Sequence, residues 1–192
     1  IKKDYRFNNS LLNNLDYKNK RIILLTSHRR ENIGEPMENI FTAIKDIVDK
    51  YDDIEVVFPV HLNPKVREIA NGILGNNPKI HLIDPLDYEP FTNLMSRVYL
   101  VVTDSGGLQE EAPTLGKPVL VVRKETERPE GIEAGTAKLV GTKYNDIYEN
   151  LDLLLKDEKE YEKMAKAVNP YGDGNAAKKI VDIIINSNKE NY

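Results

Sequence analysis

The chain has 192 residues, with 27 Lys and Arg against 31 Asp and Glu and a formal net charge of −4. That length suits one well-buried domain with room for a small appendage, and the interspersed charges argue against a general nucleic-acid binder or attraction to a membrane surface. The absence of cysteine excludes disulfides, thiolate catalysis and cysteine-based zinc sites. No apolar run nears the ~18 residues of a membrane span and no charged-then-apolar leader opens the chain, so a cytoplasmic setting is expected. A start at Ile1 rather than Met suggests that an N-terminal portion is missing.

Ile1 to Lys20 is polar and Asn-rich, with Leu11, Leu12 and Leu15 weakly amphipathic, and reads as an incoming linker with a short helix ahead of a domain over 21–192. Arg21 to Ser27 (RIILLTS) is a short apolar strand ending in the charged loop His28 to Asn32. Met37 to Tyr51 sets Ile40, Phe41, Ile44, Ile47 and Val48 at the spacing of an amphipathic helix. Ile54 to Val60 then predicts a strand, Pro64 to Leu74 a helix entered through Asn63-Pro64, Lys79 to Ile83 a strand and Glu89 to Arg97 a short helix.

Tyr99 to Thr103 reads as a buried strand, Asp104 to Gly107 (DSGG) as a tight turn, Leu108 to Leu115 as a helix broken by Gly116-Lys-Pro118, and Val119 to Val122 as the next strand. Arg123 to Gly135 is a charged loop, Ala137 to Val140 a last short strand, and Asn145 to Leu155, Tyr161 to Ala167 and Ala176 to Asn186 are helices, the last preceded by a compact turn over 169–174. About six strands alternating with helices predict an α/β, Rossmann-like, doubly wound parallel sheet covered on both faces.

Glycines and a serine at a helix start make a candidate phosphate cradle, because the first-turn N–H groups are unpaired and the positive end of the helix dipole faces the anion. Ser105, Gly106 and Gly107 supply that turn, and Glu110 or Glu111 lies close enough beyond it to accept hydrogen bonds from a ribose diol. A purely structural account has Ser105 capping the helix and the two glutamates favouring its N-terminus by ~0.3–1 kcal/mol each. The pattern is neither GxGxxG nor a P-loop. In the strand order 3-2-1-4-5-6 the first and fourth strands are neighbours at the switch point, which would put the His28 to Asn32 loop beside Ser105 to Gly107.

His28 in that crevice is suited to donating a hydrogen bond or a proton to a departing phosphate. Arg29 and Arg30 suit phosphate or carboxylate contacts, or a bridge to Glu31. His61 closes the second strand and is open to either ligand contact or a role at the helix entry, whereas His81, in the middle of a strand, reads as packed. Arg128 faces the ligand edge from the loop after the fifth strand, and Phe91 either borders a base or joins the core. No spacing makes a metal site or a Ser–His–Asp set.

The segments TSHRRENIG, PVHLNP, LIDPLDYEPF, TDSGGLQEEAPTLGKPVLV, ETERPEGIEAGT and NPYGDGNA, in that order, span Thr26 to Ala176. Together they resemble the C-terminal half of the non-hydrolysing UDP-N-acetylglucosamine 2-epimerases. The resemblance implies the second Rossmann-like domain of a GT-B fold, holding UDP in a cleft against an N-terminal domain that this chain lacks. It implies an isomerase that inverts C2 of UDP-GlcNAc to give UDP-ManNAc, by eliminating UDP to leave 2-acetamidoglucal and adding it back, without metal or other cofactor.

By motif position, the resemblance gives Ser105, Gly106 and Gly107 to the diphosphate, Glu111 to ribose, the Phe91 main chain to uracil and Arg128 to the same site. His28 is implied as the catalytic group at the leaving phosphate, with Arg29 and His61 at an allosteric second UDP-GlcNAc site. The carboxylates that move the C2 proton are implied to lie in the absent domain, so the fragment is expected to be inactive alone. A homodimer at full length and a place in polysaccharide biosynthesis are further implications. The nucleotide-binding half of a GT-B glycosyltransferase and a UDP-sugar sensor module are the alternatives.

Overall fold

In a computed structural model of the chain, which describes residues 1–2, 4–172 and 174–189, the alternating pattern becomes one sheet. Its strands are β1 (Arg21–Thr26), β2 (Ile54–Pro59), β3 (Ile80–Ile83), β4 (Leu100–Thr103), β5 (Val119–Val121) and β6 (Ala137–Leu139). They lie in the order β3-β2-β1-β4-β5-β6, every neighbouring pair parallel, which is the doubly wound, Rossmann-like arrangement expected. Successive residues of a strand point to opposite faces. Ile23 and Leu25 therefore join one core layer while Ile22 and Leu24 join the other, each burial contributing about 1.5–3 kcal/mol.

The helices α1 (Ser10–Asn14), α2 (Glu35–Lys50), α3 (Pro64–Leu74), α4 (Tyr88–Arg97) and α5 (Gly106–Thr114) are followed by α6 (Pro129–Glu133), α7 (Tyr144–Lys156), α8 (Glu158–Ala165) and α9 (Ala176–Lys189). The apolar stripes of α2, α3 and α7 cover one face of the sheet, and α1, α4 and α5 cover the other. Gly116, at φ +65°, terminates α5 in a left-handed conformation that a side chain would strain.

Three segments differ from their sequence pattern. Phe7 and Leu12 of the leading segment are buried in the second core layer, and Asn9 caps α1 by accepting the Leu12 N–H. The Arg123 to Gly135 loop contains α6, which starts at Pro129 because proline presets the helical φ where no N–H is needed. The loop after β1 tightens into a 3-10 turn over Arg30–Asn32. Asp173 of the NPYGDG motif and residues 190–192 lie outside the described residues.

Candidate active site

β1 and β4 pair with Thr26 opposite Thr103, so the loops leaving them open into one crevice at the switch point. Asp104, fully buried, follows β4 directly. A carboxylate that cannot be hydrated there needs donors, and Oδ2 accepts from four: the Ser27 hydroxyl at 3.1 Å, the His28 and Arg29 N–H groups at 2.8 and 2.9 Å, and the Asn32 amide at 3.1 Å. Asn32 also donates to the Val122 carbonyl at 3.1 Å, tying the same loop to the end of β5. His28 Nδ1 lies 3.2 Å from Asp104 Oδ1. Burial pushes the Asp104 carboxyl up, but the His28 contact and the backbone N–H groups outweigh it and hold the group below its ordinary value.

Ser105 occupies the N-cap of α5, yet its side chain makes no capping hydrogen bond. The hydroxyl is thus not used as the structural account supposed, and the first-turn N–H groups of α5 have no side-chain cap. A Cβ on Gly107 would lie 3.9 Å from Glu111 Oε1 and 4.0 Å from Ser105 Oγ, which places the Glu111 carboxylate back over the start of the helix. Burial, helped by the neighbouring charge of Glu110, raises the Glu111 carboxyl above its ordinary value. Glu110 takes a different partner, the Arg128 guanidinium. Between the two glutamates the sequence left the choice open; the geometry gives Glu111 to the helix start.

The loop after β5 is fastened to α5 by a chain of polar groups. Gln109, fully buried, donates to the Ser105 carbonyl at 3.2 Å and accepts the Thr126 hydroxyl at 2.6 Å; Thr126 in turn accepts the Arg128 N–H at 3.1 Å. Arg123 braces the same edge by pairing with Glu127 at 2.6 Å and with Glu31 of the β1 loop at 2.9 Å.

One cleft of about 230 Å³ brings together His28, His61, Phe91 and Ser105, with Thr26, Ser27, Pro59, Pro85 and Leu108 completing its walls. The His28 and His61 rings stack with centroids 5.5 Å apart and planes 15° apart, so the histidine expected at a second site lies against the one expected at the first. Glu111 opens instead into a second hollow, whose lining includes Tyr88, Thr92, Met95 and Leu115. Arg128 lines neither hollow and is held by Glu110, while Arg29 donates from Nε to the Asp104 carbonyl at 3.3 Å. His81, in the strand interior, is paired with Glu55 at 2.7 Å.

Asp104, Asn32, Gln109 and Thr126 were not singled out from the sequence. The available signal was an aspartate wedged between a largely apolar strand and a helix start, a place where an unpaired carboxylate is too costly to leave. Among the described residues no group of three or more His, Asp or Glu side chains converges as a metal site would require, and no helix is long and apolar enough to cross a membrane.

Comparison with known proteins adds to this geometry. The UDP-N-acetylglucosamine 2-epimerase of Bacillus subtilis (strain 168) is 56% identical over 165 residues, which are 86% of this chain and 43% of that protein. The S. aureus MnaA–UDP co-structure is 50% identical with a TM-score of 0.89, over 96% of this chain and 49% of that one. The Neisseria meningitidis UDP-GlcNAc 2-epimerase bound to UDP-GlcNAc is 49% identical with a TM-score of 0.83, over 88% of this chain and 45% of that one. The chain spans about half the length of the curated relatives it matches. The family model described as UDP-N-acetylglucosamine 2-epimerase matches residues 1–185, and the chain belongs to that family.

Proposed function

We propose that this chain is the nucleotide-binding half of an enzyme that interconverts UDP-GlcNAc and UDP-ManNAc. The observation that carries the reading is the meeting of His28 and Ser105 in one cleft at the β1–β4 switch point, beside an α5 N-terminus without a side-chain cap. There the Ser105, Gly106 and Gly107 turn receives the diphosphate and the Phe91 main chain borders the uracil, while Glu111 accepts from the ribose diol from the second hollow beside the helix start. Arg128, paired with Glu110, flanks the site. His28 meets the phosphate that departs from C1 as the C2 proton is lost, giving 2-acetamidoglucal and UDP, and UDP returns to C1 after the opposite face of C2 is protonated.

In the same reading, residues 1–20 lead into a nucleotide domain over 21–192 and pack against it through Phe7 and Leu12, and the C2 acid and base come from a facing domain outside this chain. The strongly exposed apolar side chains of Leu62 and Tyr88, which follow β2 and β3 at the ligand edge, fit such a facing wall. A half-site leaves the sugar hydrated and unoriented, so the chain alone binds UDP without epimerising. Arg29 and His61 border a second UDP-GlcNAc site that activates the whole enzyme, a cytoplasmic homodimer. The test is calorimetry of UDP with this chain and its Glu111→Ala variant, paired with an assay of the whole protein for UDP-ManNAc without an acceptor. Binding lost in the variant, together with acceptor-free epimerisation, is expected. Sugar transfer to an acceptor without epimerisation would overturn the reading in favour of a glycosyltransferase.

A further inference from the structure

The two oxygens of Asp104 are used unequally. Four donors from the β1 loop converge on Oδ2. Oδ1 is buried, makes no aligned hydrogen bond and faces the His28 ring, whose Nδ1 is 3.2 Å away. A buried carboxylate oxygen is strongly disfavoured without a donor, and the ring that faces it supplies one if Nδ1 carries hydrogen and the ring turns slightly to align it. Nε2 is then the nitrogen left for the cleft that His28 lines with His61 and Ser105. His61 has the reverse arrangement, because its Nδ1 accepts the Asn63 N–H at 3.1 Å and its hydrogen must be on Nε2. With hydrogen on His28 Nδ1, the two stacked rings would face one cleft as opposite tautomers.

We propose that Asp104 is a positioning residue that fixes hydrogen on His28 Nδ1 and presents Nε2 to the cleft, while its other oxygen fastens the loop after β1 to the end of β4. Resting on the function proposed above, this gives the departing phosphate one defined partner. The protonated ring passes its Nε2 hydrogen to a phosphate oxygen as the C1–O bond breaks, and Nε2 takes it back when that bond reforms. The contact at Nδ1 is kept in both directions, so the ring does not need to turn over between them.

The test is the tautomer of His28 in this 192-residue chain, read from long-range proton–nitrogen correlation spectra of histidine-labelled protein at a pH where the ring is neutral. Hydrogen on Nδ1 is expected. In Asp104→Asn the four donors at Oδ2 require the amide oxygen in that place, which turns the NH2 group toward His28 Nδ1. The loop stays fastened while the ring is driven to the Nε2–H form, with the backbone shifts of β1 and β4 retained. A wild-type His28 already in the Nε2–H form, or a folded Asp104→Asn variant with an unchanged ring, would overturn the proposal. If the variant does not fold, the wild-type spectrum decides alone. Added UDP is expected to move the Nε2 resonance rather than Nδ1; no movement of either would count against the nucleotide reading, while the tautomer still decides the role of Asp104.

Discussion

The side-chain oxygens of Thr26 and Thr103 lie 2.7 Å apart, both buried, at the carboxyl ends of β1 and β4. Thr103 Oγ1 also accepts the Ser105 N–H at 2.9 Å, so this seam sets where α5 begins. Valine matches threonine in shape but has no hydroxyl. Thr103→Val should cost ~1–3 kcal/mol in urea unfolding because it leaves the buried Thr26 hydroxyl and the half-buried Ser105 N–H without their partner, and should weaken UDP binding by displacing the cradle. Thr26→Val should cost less, since Thr103 still holds Ser105. Equal costs would mean that the seam does not direct the helix start.

Tyr171 docks the turn before α9 onto α6. Its hydroxyl accepts the Gly131 N–H at 2.9 Å and donates to the Arg128 carbonyl at 3.4 Å. A Cβ on Gly131 would come within 2.9 Å of that hydroxyl, so Gly131→Ala should expel it and lose about 0.5–1.5 kcal/mol of hydrogen bonding. In a Tyr171→Phe background the same change should cost little more. A double-mutant cycle measures this, and full additivity would show that the hydroxyl is not the obstacle.

The strand order and the position of the crevice were legible because buried parallel strands leave continuous apolar runs, and right-handed crossovers then leave few topologies. His28, Ser105 and Phe91 could be found because each lies at the carboxyl end of a strand or soon after it. The polar ties were not legible. Asp104 and Asn32 are 72 residues apart, and nothing in local spacing pairs an aspartate that looks like turn chemistry with an asparagine that looks like loop. Gln109 was hidden in the same way, as an apparently solvated helix residue that is fully buried. Leu11, Leu12 and Leu15 were visible as a weak stripe, but Phe7 was hidden by its polar neighbours, and nothing local showed that the segment packs into the core through Phe7 and Leu12.

At the edge of the sheet opposite the crevice, Asp152 accepts from Lys50 at 2.5 Å, the Tyr51 hydroxyl at 2.6 Å and Lys156 at 3.0 Å. Lys50, then Tyr51, then Lys156 favour the ionised form against the cost of burial, and the carboxyl is held far below its ordinary 3.8. A folded-state value below the unfolded one means stability that is present above the unfolded value and lost as the pH falls through it toward the folded one. Asp152→Asn should therefore destabilise the chain near neutral pH, by an amount near the low end of the ~1.5–3 kcal/mol typical of charged hydrogen bonds because the lysines are largely exposed. The gap between variant and wild type should close in strong acid. Thermal unfolding across pH reads both, and a gap independent of pH would assign the loss to packing.

Glu111 has the opposite sign. Burial, and then the charge of Glu110, raise its carboxyl above the ordinary 4.5, so the stability linked to it is full below that value and is lost as the pH rises through the folded one. Glu111→Gln has no charge to bury and should be more stable than wild type at neutral pH, within the ~0.2–1 kcal/mol of partly screened charges, with no difference once the carboxylate is protonated. The same variant should bind UDP roughly tenfold to a hundredfold more weakly, because a neutral amide replaces a charged acceptor for the ribose diol. A gain in stability coupled to a loss of affinity is what a carboxylate kept for its ligand predicts. A variant that loses stability and keeps its affinity would instead make Glu111 a structural residue of α5.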